Sequence, residues 1–148
     1  MPQISITKEF SFEAAHALRG YDGPCRNIHG HSYKLSVTVS GTPIADPGSS
    51  KKGMVMDFSD LKAIVKKAII DPLDHALILP SDSEIRQSIE ESGTFSKVHV
   101  VDYQPTSENM LLDFASTLKS LLPAGVVLKS LRLRETATSF AEWTADQD

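Results

Sequence analysis

The sequence predicts an α+β fold, an antiparallel β-sheet with two helices packed on one of its faces. Two stretches near the N-terminus alternate apolar and polar residues with the period of a half-buried strand. Two later stretches repeat apolar residues at helical spacing, and two short alternating stretches close the chain. The resulting order is ββααββ, with an insertion between the helices at residues 80–103.

The first strand begins at Ile4, where Ile4, Ile6, Phe10, Phe12 and Ala14 take even positions and Ser5, Thr7, Glu9, Ser11 and Glu13 odd ones. His16 falls in the apolar phase. After a loop containing Gly20, Gly23 and Pro24, the odd positions His29, His31, Tyr33, Leu35, Val37 and Val39 alternate with small or polar residues and predict the second strand. The polar, turn-forming text between Gly41 and Gly53 predicts an exposed connection. Phe58, Leu61, Ile64, Val65, Ala68 and Ile69 predict a helix capped by Asp57 or Ser59 and stopped by Pro72. Thr106 behind Pro105 caps a second, whose buried stripe is Leu111, Phe114, Ala115, Leu118, Leu121 and Leu122. In the insertion, SEIRQSIEES suggests a helical turn or two and KVHVVDY a short strand; His99 there is expected to be structural. Residues 126–135 and 138–143 predict the closing strands.

A chain of 148 residues, 41% hydrophobic and 23% charged, suits one domain spanning residues 1–148. A net charge of -4 with scattered lysines offers no basic stripe for nucleic acid or anionic lipid, so small molecules or protein chains are the expected partners. No charged leader followed by an apolar run opens the sequence, and no apolar stretch nears the ~20 residues that span a bilayer, so a cytoplasmic location is expected.

The segment CRNIHGH concentrates the single cysteine and two of the five histidines in residues 25–31. Side chains two apart on a strand share a face, roughly 6.6 Å apart at Cα, so His29 and His31 project together. If the first two strands pair with their apolar phases aligned, His16 joins them. Three neutral imidazoles with a fourth position open describe a catalytic zinc site, whereas structural zinc is usually closed by four protein ligands. Cys25 forms no internal disulfide, and the residues alone leave it open as a buried thiol, a reactive thiolate or a fourth ligand. Glu135 shares a strand phase with Leu131 and Leu133, so its carboxylate needs a partner on an otherwise apolar face. Arg132 or Arg134 could supply one as a salt bridge.

FSFEAAHAL, CRNIHGH, GMVMDF, LDHALI, PTSEN and LRETAT, in that order, resemble the 6-pyruvoyl-tetrahydropterin synthase and 6-carboxy-tetrahydropterin synthase family from about Ile4 to Trp143. The cysteine separated from HGH by three residues resembles the carboxy branch, which belongs to queuosine biosynthesis. The resemblance implies the tunnelling fold, assembled as a homohexamer of two stacked trimers, with His16, His29 and His31 as zinc ligands and Cys25 as the catalytic thiolate. It implies that Asp74 and His75 relay protons, that Glu135 anchors the pterin and joins the relay, and that Thr106, Ser107 and Glu108 line its pocket, unless they merely cap a helix. The implied reaction converts 7,8-dihydroneopterin triphosphate to 6-carboxy-5,6,7,8-tetrahydropterin, releasing triphosphate and acetaldehyde. Alternatives are the pyruvoyl synthase, which keeps the side chain whole, a three-histidine zinc hydrolase or hydratase that needs no Cys25, and a non-catalytic pterin- or metal-binding module.

Overall fold

The computed structural model describes residues 2–20 and 27–147. The alternating N-terminal sequence forms two long strands, β1 (Ile4–His16) and β2 (His29–Gly41), paired antiparallel with Phe12 opposite Tyr33, Ala14 opposite His31 and His16 opposite His29. β5 (Val127–Thr136) joins the other side of β2, and β6 (Ser139–Thr144) pairs with β5, both antiparallel as the pattern predicts.

Two further strands make the sheet mixed, correcting the antiparallel expectation. β3 (Ala76–Pro80) runs parallel to β1 and β4 (Val98–Val101) parallel to β3, giving the order β4-β3-β1-β2-β5-β6. β3 carries no alternation because all five of its residues are buried. Ile78 faces the main core while Leu77 and Leu79 face a smaller cluster on the opposite side, as in a strand covered on both faces.

The first helix starts as expected, with Asp57 accepting from the Ser59 N–H at 2.8 Å ahead of α1 (Phe58–Val65). It does not stop at Pro72. A π-helical stretch, Lys66–Ile70, leads into a last turn, α2 (Asp71–Leu73), so that Pro72 lies inside the helical run, one residue before its end. Within the insertion, α3 (Arg86–Ser92) contributes Ile89 to the smaller cluster. Thr106 caps α4 (Ser107–Lys119) by accepting from the Asn109 N–H at 3.2 Å. Leu61 and Val65 of the first helix and Met110, Leu111 and Leu118 of α4 pack with Phe12, Tyr33, Leu35 and Leu133 in one core, so both long helices cover one face of the sheet.

Leu133, fully buried at the centre of that core, tests the packing. Leu133→Ala should lower unfolding free energy by about 2–5 kcal/mol, against a change within about 0.5 kcal/mol for the exposed Lys62→Ala, read by chemical denaturation.

Candidate metal centre

Register builds the centre. Because His16 and His29 are direct cross-strand partners and His31 lies two residues along, the three rings gather at one end of the β1–β2 pair, with centroids 4.5–5.2 Å apart. One ligand atom from each, together with one from Glu135, lie within 4.8 Å of one another.

Backbone carbonyls set the tautomers. His16 Nδ1 lies 2.7 Å from the Pro105 carbonyl and His29 Nδ1 2.8 Å from the Asn27 carbonyl. A carbonyl only accepts, so each Nδ1 carries the hydrogen, and in the neutral rings each Nε2 presents a bare lone pair. Those two Nε2 atoms face each other at 3.0 Å. Two lone pairs at that distance repel unless a proton or a metal cation lies between them. Among the described residues, the Nε2 of His31 is buried without a properly directed hydrogen bond, although Glu135 Oε1 lies 2.9 Å away. Imidazole nitrogens bound tetrahedrally to a divalent ion at roughly 2.0–2.1 Å would stand roughly 3.4 Å apart, close to the spacing seen. The donor set therefore fits a divalent metal, with the carbonyls acting as the outer-shell partners that such ligands require.

Glu135 sits where the β5–β6 register shifts, between Arg134 and Thr136. Its Oε1 lies 3.6 Å from His16 Nε2, and its Oε2 accepts from the hydroxyl of buried Ser107 at 3.0 Å. The neighbouring arginines are engaged elsewhere: Arg132 pairs with Glu142, and Arg134 donates to the Ala137 carbonyl at 3.1 Å. Burial holds the pKa of His16, and likewise that of His31, below the ordinary histidine value, while Glu135 pulls both the other way.

The remaining candidates lie apart from this cluster. Asp74 and His75 form an exposed pair, Oδ1 to Nδ1 at 3.1 Å, with Asp74 also accepting from the Glu13 N–H at 2.9 Å. That N–H, more than the adjacent His75 and Lys97, holds the Asp74 carboxyl below its usual range against some desolvation. His75 lines an open cleft of about 460 Å³ with Glu13, Ser32 and residues 94–97, a cleft that also reaches His31. Thr106 is the cap already described, and Glu108 lines a different cleft beside Leu112 and Trp143. His99 is half-buried on β4, opposite Ile78. Cys25 lies outside the described residues. Sequence reasoning missed Pro105 and Asn27, which act through carbonyls every residue possesses, and the contact of Ser107 with Glu135.

Over residues 5–146 the chain matches the family described as 6-pyruvoyl tetrahydropterin synthase. It is 44% identical over 142 residues to the 6-carboxy-5,6,7,8-tetrahydropterin synthase of Haemophilus influenzae, covering 95% of this chain and 98% of the relative. To the 6-pyruvoyl tetrahydrobiopterin synthase of Pongo abelii it is 32% identical, covering 90% and 86%. Among solved structures, the 6-pyruvoyl tetrahydropterin synthase of Caenorhabditis elegans superposes with a TM-score of 0.69 at 27% identity, covering 98% of this chain and 97% of that one.

His16→Ala, His29→Ala or His31→Ala should each abolish stoichiometric binding of a divalent metal, measured as metal content after dialysis, while His99→Ala should retain it. Since folding lowers the pKa of His16 and His31, the unfolded chain takes up protons that the folded one refuses. Stability of the metal-free protein should hold above about pH 6.5 and fall as pH drops below it, read by denaturant titration across pH.

Proposed function

Because the chain belongs to the 6-pyruvoyl tetrahydropterin synthase family, we propose that it converts 7,8-dihydroneopterin triphosphate and water to 6-carboxy-5,6,7,8-tetrahydropterin, acetaldehyde and triphosphate, in queuosine biosynthesis. The observation that carries this reading is a relative of that name at 44% identity across nearly the whole of both chains. The converging Nε2 atoms of the three histidines support it from the side of geometry. Residues 1–148 act as one tetrahydropterin synthase-like domain.

His16, His29 and His31 would hold zinc. Bound there, zinc would polarise oxygens of the substrate side chain and so acidify the adjacent C–H bonds. Glu135, steadied by Ser107, accepts from the guanidine-like edge of the pterin and fixes the ring beside the histidines. Thr106, at the start of α4, contributes to the pterin pocket beside Ser107, whereas Glu108 faces the separate cleft beside Leu112 and Trp143. Cys25, four residues before His29, acts as the thiolate base that takes a proton from the side chain. His75, oriented by Asp74, returns a proton elsewhere on the substrate. The ring gains electrons that the side chain loses, so no external oxidant or reductant is needed.

The pair lies on a different part of the chain from Glu135, exposed on the cleft that residues 94–97 border. The reading extends to a homohexamer of two stacked trimers, as the family resemblance implies, in which the Asp74–His75 pair of one chain faces the histidines of another. Among the described residues the sheet ends in β4 and β6, two strands each paired on one side only, and offers edges for such an assembly.

Incubation of the zinc-loaded protein with 7,8-dihydroneopterin triphosphate, with products identified by mass, should yield the carboxylated tetrahydropterin and acetaldehyde. A product that keeps all of its side-chain carbons would make it a pyruvoyl synthase instead. Cys25→Ala should keep zinc and pterin binding while turnover falls about 10²- to 10⁴-fold. Near-normal turnover in that variant would favour zinc-assisted hydrolysis. Glu135→Gln should lose pterin affinity and keep its zinc; loss of zinc would move Glu135 into the coordination shell.

A further inference from the structure

The Asp74–His75 pair sits on an awkward piece of backbone. The helical run from Phe58 ends at Leu73, Asp74 is extended, and His75 takes a φ of 63° before β3 begins at Ala76. A non-glycine residue holds the left-handed region only when its surroundings over-determine it. Part of that restraint comes from β1, where the Glu13 carbonyl accepts the His75 N–H at 2.5 Å and the Glu13 N–H donates to the Asp74 carboxylate.

The rest comes from the insertion. Lys97 Nζ lies 2.6 Å from the Asp71 carbonyl and 2.6 Å from the Asp74 carbonyl. The second of these belongs to the peptide that joins Asp74 to His75, so the ammonium fixes the plane whose rotation would change ψ of Asp74 and φ of His75 together. A cation also suits the unpaired carbonyls at a helix C-terminus. Lys97 is itself held in place, since its carbonyl accepts from the Leu77 N–H at 2.9 Å, at the start of β3.

We propose that Lys97 is a positioning residue for the Asp74–His75 pair, tying down the peptide between them so that the His75 imidazole meets the substrate in one orientation. This rests on the proton-relay reading of that pair. The insertion at residues 80–103 thereby acquires a role, since it returns the chain as β4 with a lysine aimed at the end of the first helix.

In the full-length, zinc-loaded protein, Lys97→Met keeps the aliphatic stem and removes the donors. Its kcat per bound zinc should fall about 10- to 100-fold, the scale of a misplaced reacting group, with KM and zinc content near wild type. Lys97→Arg, which still donates to two carbonyls, should restore most of the rate. If Lys97→Met fails to fold, Lys97→Gln, able to reach only one carbonyl, should show the same kcat loss. The double variant Lys97→Met with His75→Ala should be no slower than His75→Ala alone, because Lys97 acts through His75. Wild-type kcat in Lys97→Met beside a slow His75→Ala would overturn the proposal and leave the relay intact. A loss confined to KM, or losses that add in the double variant, would overturn it as well, by making Lys97 a contact of the substrate. Normal turnover in His75→Ala would remove the relay, and the proposal with it.

Discussion

Two backbone carbonyls govern this molecule. By accepting from His16 Nδ1 and His29 Nδ1, Pro105 and Asn27 leave two Nε2 lone pairs confronting each other at 3.0 Å. A cation relieves that repulsion, and the fold is arranged to maintain it. The β1–β2 register sets the two rings opposite each other, and the turn ahead of α4 brings in a carbonyl from 89 residues away. Burial adds to the bias, because it disfavours the proton that would otherwise occupy the gap.

From that constraint the division of labour along the sheet follows. At the end of β5 the register shift places Glu135 over the same cluster, braced by Ser107 from the first turn of α4. α4 thus carries three duties within a few residues: the Pro105 carbonyl before its cap, the Thr106 cap, and the Ser107 hydroxyl. The Asp74–His75 pair is mounted differently, on a helix end and a left-handed residue fastened to β1 and to the insertion. A centre built on paired strands and a pair of exposed side chains suit metal binding and proton transfer respectively.

Most of the metal cluster was legible in the sequence because period-two alternation fixes which side chains share a face. Placing His16 with His29 and His31 needed only the assumption that apolar phases align, and the register bears that assumption out. Helix starts were legible through Asp57 and Thr106, whose side chains do the capping. β3 was not, because a strand buried on both faces has no alternation to display. Nor was the passage through Pro72, since the π-helical stretch just ahead of the proline rearranges the helical hydrogen bonds in a way that residue type does not announce. The tautomer-setting carbonyls and the reach of Lys97 leave no trace in residue type, because any residue has a carbonyl and lysines are common on surfaces.

The locked tautomers can be observed directly. In metal-free protein labelled with ¹⁵N in histidine, above the range where the rings protonate, the nitrogen and attached-proton resonances of His16 and His29 should report hydrogen on Nδ1 and none on Nε2. Adding one equivalent of zinc should then shift both Nε2 signals and leave the Nδ1–H correlations in place. Hydrogen on Nε2 of either ring in the metal-free protein, or coordination through Nδ1 in the loaded one, would contradict the account.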